Sequence, residues 1–405
     1  MFGRRVEKSL DVRITASQAT CALGAEVESC LEAWAAGESA LRPLRGLRGD
    51  WGAFSELRAG WIPDRDWMKG RRYGMASNAA VRAARGAVER AGWSEAERRA
   101  SWIFAASSRG NLVEWLGHSQ VRRPFRKFSA SNSMHSEIAA AVSIELGIHG
   151  PWQMLANGCS AGLDALGLAA LAVAQGVAPR AVVVAVDLPL IPELLRDFSD
   201  TGLLSVNGCN DPYAAGSTGF FPGEAVAAVT LERVSGAFPR GLVVERYAAN
   251  SDAYDSLATP EDSRALAECL LAAMATPATG AGSADDGGPW LLCPHATGTA
   301  NFSATERAVM RRLRAASELG PGSWAVLPMK PMTGHSLGAS GLLDVALMAE
   351  AVRQGRIPAA MRGMTAPIEG VSLWTGGVME PGQRVVKTAS GMGGHNAAVA
   401  MRVGG

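Results

Sequence analysis

The chain has 405 residues, 48% of them hydrophobic and 19% charged, with a formal net charge of +1. That balance predicts a folded protein with a large buried interior, built as two domains or one doubled domain, and excludes a disordered chain. A charge so near zero supplies no global field for nucleic acid or an anionic membrane surface, so neither is expected as a partner.

The cysteines Cys21, Cys30, Cys159, Cys209, Cys269 and Cys293 form no CxxC pair and no ligand-like spacing to histidine. Neither a disulfide scaffold nor a bound metal is expected, and a reducing, cytoplasmic setting is. The opening MFGRRVEKSLDVRIT is basic, but no apolar segment follows it, so no signal peptide is expected. Apolar stretches are broken by Gly, Asp, Pro or Arg before they reach the roughly 20 residues that a membrane span needs.

Taken in chain order, Ala-rich segments at Met75–Ala91, 136–146 and 162–176 predict helices. Apolar runs at 181–186 (AVVVAV), 225–231, Trp290–Cys293 and 324–327 predict buried strands. Residues 277–289 (PATGAGSADDGGP) predict a surface loop. The alternation predicts an α/β protein with layers of helices around a mostly parallel sheet.

A weak internal repeat divides the chain. AGLDALGLAALAVAQGVAP, from Ala161, resembles SGLLDVALMAEAVRQGRIP, from Ser340. Gly162 pairs with Gly341, Val173 with Val352, Gln175 with Gln354, Gly176 with Gly355 and Pro179 with Pro358, at one constant offset without a gap. The match into QG and Pro points to duplication rather than shared alanine content. Two similar halves, 1–238 and 239–405, are therefore expected, with the site between them.

Four stretches carry chemistry. In NGCSAG, Cys159 stands where a strand turns into a long helix. Unpaired backbone N–H groups and the helix dipole would favour its thiolate there and lower its pKa. A small buried thiol at a strand–helix junction is the plainer alternative. In CPHATGT, His295 closes a strand beside small hydroxyl residues, where either catalysis or a structural role is open. KPMTGHSLGASG brings Lys330 and His335 onto one glycine-rich turn, and burying Lys330 would disfavour its charged form. SGMGGHN, residues 390–396, is a glycine-rich turn able to offer backbone N–H groups to an oxyanion.

In order and context these stretches resemble the β-ketoacyl-acyl carrier protein synthases, particularly the elongating branch with a Cys-His-His set. Cys159 falls on that family's nucleophile and His295 on the histidine of its HGTGT motif, read here as HATGT. Lys330 and His335 fall on K-x-x-x-x-H-x-x-G-A-x-G, and residues 391–396 on the closing G-F-G-G-T-N turn. The likeness runs nearly end to end: VRITASQATCALG matches the opening strand and turn, SSRGN the next turn, and GFFPGEA a further segment.

The resemblance implies a thiolase-like fold of two pseudo-duplicated halves in an αβαβα arrangement. It also implies decarboxylative condensation of an acyl thioester with malonyl-carrier protein. Cys159 would hold the acyl group, His295 and His335 would stabilise an enolate oxygen, and Lys330 would orient them. The N–H groups of Cys159 and Met392 would form an oxyanion hole, and Thr297 and Thr299 would meet a phosphopantetheine arm. That arm is supplied by the acyl carrier protein, so no bound cofactor is implied. A homodimer is expected, with a heterodimer of related chains as the alternative. A non-catalytic chain-length partner and an acyltransferase on the same fold are the other readings; the presence of Cys159 and both histidines argues against the first.

The chain departs from the pattern at several places. Met392 stands for a gating phenylalanine, predicting a softer gate to the acyl pocket. His395 stands for threonine, placing a third histidine near the site as a substrate-facing candidate. Ala296 replaces a glycine, with no consequence expected, and Asp344 stands for glutamate as a shorter acid. The segment after Leu204–Ser205 is short, and Asp211-Pro212-Tyr213 replaces an Arg-Pro-aromatic pattern. For an acidic carrier protein, the candidate docking clusters are Lys69, Arg71 and Arg72, and Arg122, Arg123, Arg126 and Lys127.

Overall fold

The computed structural model describes residues 9–121, 129–260, 262–275, 290–316 and 324–405. The loop expected at 277–289 and the basic cluster Arg122, Arg123, Arg126 and Lys127 lie outside the described residues. Eleven strands form one hydrogen-bonded sheet. They are β1 (Val12–Cys21), β2 (Trp102–Ala106), β3 (Trp152–Leu155), β4 (Ala181–Asp187), β5 (Ala225–Arg233) and β6 (Gly241–Ser251). The rest are β7 (Trp290–Cys293), β8 (Trp324–Val326), β9 (Ser372–Leu373), β10 (Arg384–Ser390) and β11 (His395–Gly404).

The first five strands lie side by side as β1-β5-β4-β2-β3, and the second set as β6-β11-β10-β7-β8, with β9 added outside β8. Both sets follow the same path, so the repeat read in the sequence is a repeat of topology. The two sets touch through antiparallel pairing of Val12 with Val244 and Arg13 with Val243.

The sheet is mixed rather than mostly parallel. Strands β2, β3 and β4 pair in parallel, as do β7, β8, β9 and β10. In contrast, β5 runs antiparallel to β1 and β4, and β11 antiparallel to β6 and β10. A continuous apolar run records burial on both faces and carries no sign of strand direction. Strand β4 shows this directly. Val183 and Ala185 face one core, whereas Val182, Val184 and Val186 face another.

Five layers are packed by one large central apolar cluster and one cluster on each outer side. Helices Met75–Ala91 and Glu137–Leu146 cover the outer face of the first strand set, and Arg264–Met274 with Ala300–Ala316 cover that of the second. Between the sets lie Ala161–Ala174 and Ser340–Arg353, buried almost all round, with apolar residues on every face of each helix. These are the two repeat helices, each C-capped by the glutamine of QG and followed by a left-handed glycine, Gly176 at φ 74° and Gly355 at φ 92°. They cross at the paired glycines. A Cβ on Gly162 would lie 2.6 Å from Gly338 O, and one on Gly341 3.0 Å from Leu163 Cβ. Among the described residues no helix is long and apolar enough to cross a membrane.

Candidate active site

Strand β3 ends at Leu155, and the chain passes through a single turn, Gly158–Ser160, into helix Ala161–Ala174. The turn needs a left-handed residue, and Gly158 supplies it at φ 70°. In the second half the turn Leu337–Ala339 leads into Ser340–Arg353 in the same way, with Leu337 left-handed at φ 46°. Cys159 thus stands at the N-terminal end of one central helix, and His335 just before the other.

The Cys159 sulfur and one ring nitrogen each of His295 and His335 all lie within 4.8 Å of one another, and all three residues are buried. The imidazoles meet edge to face, with centroids 5.2 Å apart and an interplanar angle of 86°. Lys330 Nζ lies 3.3 Å from His295 Nδ1 and donates to the His295 carbonyl. An ammonium only donates, so Nδ1 accepts and His295 carries its hydrogen on Nε2. His335 Nδ1 is held 3.0 Å from Ser340 Oγ. The four residues expected to act together are therefore brought together.

Their charges follow from burial. Loss of water holds both imidazoles well below the ordinary histidine pKa, and the neighbouring Lys330 and Lys387 push the same way. Burial also brings Lys330 down to about 8, with Lys387 adding to it and Asp344 and Glu306 opposing. The Cys159 thiol is pushed up to about 11 by burial, against the pull of Lys330, with Asp187 raising it and Arg109 lowering it. This corrects the expectation of a lowered thiol pKa: desolvation outweighs the favourable charges. The resting site pairs a thiol with two neutral imidazoles, of which His335, its Nδ1 facing the Ser340 hydroxyl, is the one free to accept the thiol proton. Cys159, His295 and His335 are also the donor types of a zinc site, but the Lys330 ammonium against His295 opposes a second cation there.

Other buried polar groups position these loops. Lys387 and Asp344, 0% and 2% exposed, approach to 2.6 Å between Nζ and Oδ2. Lys387 also donates to Pro294 O at 2.9 Å, the carbonyl just before His295. The shorter acid at 344 therefore serves a second lysine that the sequence reading missed. The signal was a lysine inside the apolar run of β10, since lysine is almost never fully buried unless paired. Glu306, also missed, accepts the Ala296 N–H at 3.0 Å and the Tyr213 hydroxyl at 3.0 Å. Ala296 is left-handed at φ 50°, so its substitution for glycine does have a consequence: it holds a conformation that glycine adopts freely. Asp211 accepts from the Tyr213 and Thr365 N–H groups at 3.0 and 2.7 Å, which fixes the altered Asp-Pro-Tyr segment.

The turn at 390–396 packs its backbone onto the cysteine turn. A methyl added at Gly391 would lie 3.0 Å from Asn157 O and 3.4 Å from Cys159 N, and one at Gly158 3.8 Å from Met392 N. The Cys159 and Met392 N–H groups thus come from abutting turns. Met392 is 43% exposed. His395 Nε2 sits 3.0 Å from Asp164 Oδ2, and Asp164 also accepts from Tyr247 at 2.6 Å and from Asn157. The structure thus ties His395 to the underside of the nucleophile helix, outside the Cys-His-His cluster. The Asp164 carboxylate holds the His395 imidazole above the ordinary histidine pKa.

Thr297 lines a cleft with Pro212, Ser217, Phe220, Lys330 and His335. The Thr299 hydroxyl lies 3.4 Å from that of Thr297. Lys69, Arg71 and Arg72 are exposed; Lys69 pairs with Asp66 at 2.5 Å and Arg72 with Glu145 at 2.9 Å.

Comparison with known proteins adds sequence relatives, a structural relative and family profiles. The tetracenomycin polyketide synthase ketoacyl synthase alpha subunit of Streptomyces glaucescens is 31% identical over 234 residues, 55% of this chain and 53% of that protein. Nodulation protein E of Rhizobium leguminosarum bv. trifolii is 29% identical over 372 residues, 86% of this chain and 87% of that one. A ketosynthase solved with its type II polyketide synthase acyl carrier protein, bound to the hexaketide, superposes with a TM-score of 0.80 at 19% identity, covering 98% of this chain and 100% of that one. At that identity the likeness shows the fold, which is thiolase-like. The chain spans about half the length of the first polyketide relatives it matches, 53% and 48% of them. Profiles of the beta-ketoacyl synthase N-terminal and C-terminal domains match residues 10–237 and 242–363, and on these matches the chain belongs to the beta-ketoacyl synthase family.

Proposed function

We propose that this protein is a decarboxylating β-ketoacyl synthase working on carrier-bound acyl chains, in polyketide or fatty-acid-like biosynthesis. One observation carries the reading: a buried thiol and two neutral imidazoles gathered within 4.8 Å at the start of a central helix. Cys159 gives its proton to an imidazole and attacks the acyl thioester of a phosphopantetheine arm. The departing pantetheine thiolate recovers that proton, leaving the chain as a thioester on Cys159. Malonyl-carrier protein then loses carbon dioxide, and its enolate oxygen is stabilised by donors from His295 Nε2 and His335. Attack on the acyl-Cys159 carbonyl makes the new carbon–carbon bond and releases Cys159. The Cys159 and Met392 N–H groups serve the carbonyl oxygen as it becomes charged. Lys330 keeps His295 in the tautomer that donates from Nε2. Thr297, in the cleft, meets the pantetheine arm, with Thr299 behind it.

The acyl carrier protein is the proposed partner, with Lys69, Arg71 and Arg72 as candidate docking residues. Residues 1–238 and 239–405 are proposed as the two structural units, and a homodimer as the assembly. Strand β3 supports the dimer, ending the sheet with Trp152 41% exposed. Incubation with an acyl-pantetheine thioester and malonyl-carrier protein tests the activity. The expected result is an acyl mass on Cys159, then carbon dioxide and a β-ketoacyl product, with the acyl mass and the product lost in Cys159→Ala. Acyl transfer without carbon dioxide release would point to an acyltransferase instead. An unacylated Cys159 with every donor would point to a non-catalytic partner.

A further inference from the structure

A cation, Arg109, borders the apolar cluster that holds Cys159. Ile191, Leu194, Phe198, Leu204, Phe220 and Leu337 surround the nucleophile. A wall of rings leads through them: Phe220 stands 5.1 Å from His335, Phe198 5.4 Å from Phe220, and the Arg109 guanidinium 5.8 Å from Phe198. Arg109 Nε is buried and makes no hydrogen bond among the described residues. Its backbone is fixed. Asp187 accepts from Ser107 Oγ at 2.9 Å, Ser108 N at 2.8 Å and Arg109 N at 2.9 Å. A Cβ on Gly338 would meet Ser108 N at 2.8 Å and Gly158 O at 2.9 Å, so the Arg109 turn packs beside the cysteine turn. The charge also reaches Cys159, whose thiolate it favours.

A plain alkyl chain along this wall would leave the buried Nε–H of Arg109 without a partner, whereas native proteins satisfy nearly all buried donors. Its planar set of donors matches a keto or carboxylate oxygen. Resting on the acyl-enzyme reading above, we propose that Arg109 determines specificity by receiving an oxygen of the acyl chain carried on Cys159, so that oxygenated chains are preferred over alkyl ones.

Acylation of Cys159 forms its S–C bond while the donor S–C bond breaks, and the donor thiol departs with the proton. Its rate is followed by intact mass with pantetheine thioesters in matched four- and eight-carbon sets: saturated, keto-bearing and terminally carboxylated. The wild type is expected to prefer one oxygenated class at least tenfold at one of the lengths. Arg109→Met, which keeps the apolar stem, is expected to reduce that ratio at least tenfold, and Arg109→Lys to restore part of it. Equal or faster loading of the saturated chain by the wild type at both lengths overturns the proposal without needing a variant. An unchanged ratio in Arg109→Met also overturns it, because a role confined to thiol activation slows every donor alike. If no thioester acylates a Cys159 that still reacts with iodoacetamide, the acyl-enzyme reading itself fails, and this inference with it.

Discussion

Lys387→Met probes the buried pair behind the histidines. Methionine keeps most of the lysine stem, so little cavity forms, but Asp344 is left 2% exposed without its ammonium. Among the described residues its remaining hydrogen bond comes from the Cys293 thiol at 3.9 Å, a weak donor. Removing one partner of a buried ion pair costs about 3–5 kcal/mol. Loss of the bond to Pro294 O adds about 1 kcal/mol, giving about 4–6 kcal/mol in all. Lys387→Met/Asp344→Asn removes the stranded charge and should recover at least about 2 kcal/mol of that. The deficit of the single variant should also shrink as pH falls from 8 to 5, because a desolvated carboxylate without a cation takes up a proton. In the wild type, burial opposes the Lys387 charge, but Asp344 and Cys293 hold its pKa above the ordinary value, so the pair persists across this range. Urea unfolding followed by the fluorescence of the 11 tryptophans measures all three proteins. A single variant within about 1 kcal/mol of wild type, or a double variant no better than the single, would refute the reasoning.

Two further outcomes follow from the same interior. His295 and His335 are held neutral in the fold with depressed pKa values, whereas the unfolded chain protonates them near pH 6.5. Their contribution is present above that pH and is lost as pH falls, by up to about 2.7 kcal/mol per pH unit for the pair; His295→Asn/His335→Asn should flatten the acid limb of a stability–pH profile by that amount. Gly162→Ala drives a methyl to 2.6 Å from Gly338 O, a backbone atom that yields little. A loss of about 1–3 kcal/mol is expected, with slower alkylation of Cys159, and a neutral result would show that the central helices separate easily.

Much of this was legible because the residues that mark the fold are local. The QG dipeptides at 175–176 and 354–355 are the C-terminal ends of the paired helices, and Gly162 and Gly341 are where those helices touch. Cys159, His295, Lys330 and His335 could be read because each sits on a short turn with its own pattern. What escaped depends on which strands become neighbours. Lys387 matters because β10 lies beside β7, which brings its ammonium under Pro294. Glu306 matters because its helix packs over Tyr213 and Ala296. Arg109 read only as part of a turn, since nothing local places it near the ring of Phe198. The thiol pKa was misjudged for a related reason: the helix start is visible in the chain, whereas the depth of burial is a property of the assembled layers.

The sulfur belongs to the first half of the chain and the imidazoles to the second, and the two meet where the glycine-paired helices cross. The separation between nucleophile and imidazoles is therefore set by a rigid joint at the heart of the molecule. Loops around the cleft are free to diversify toward new acyl chains, while the distance over which the proton travels stays fixed by two absent side chains.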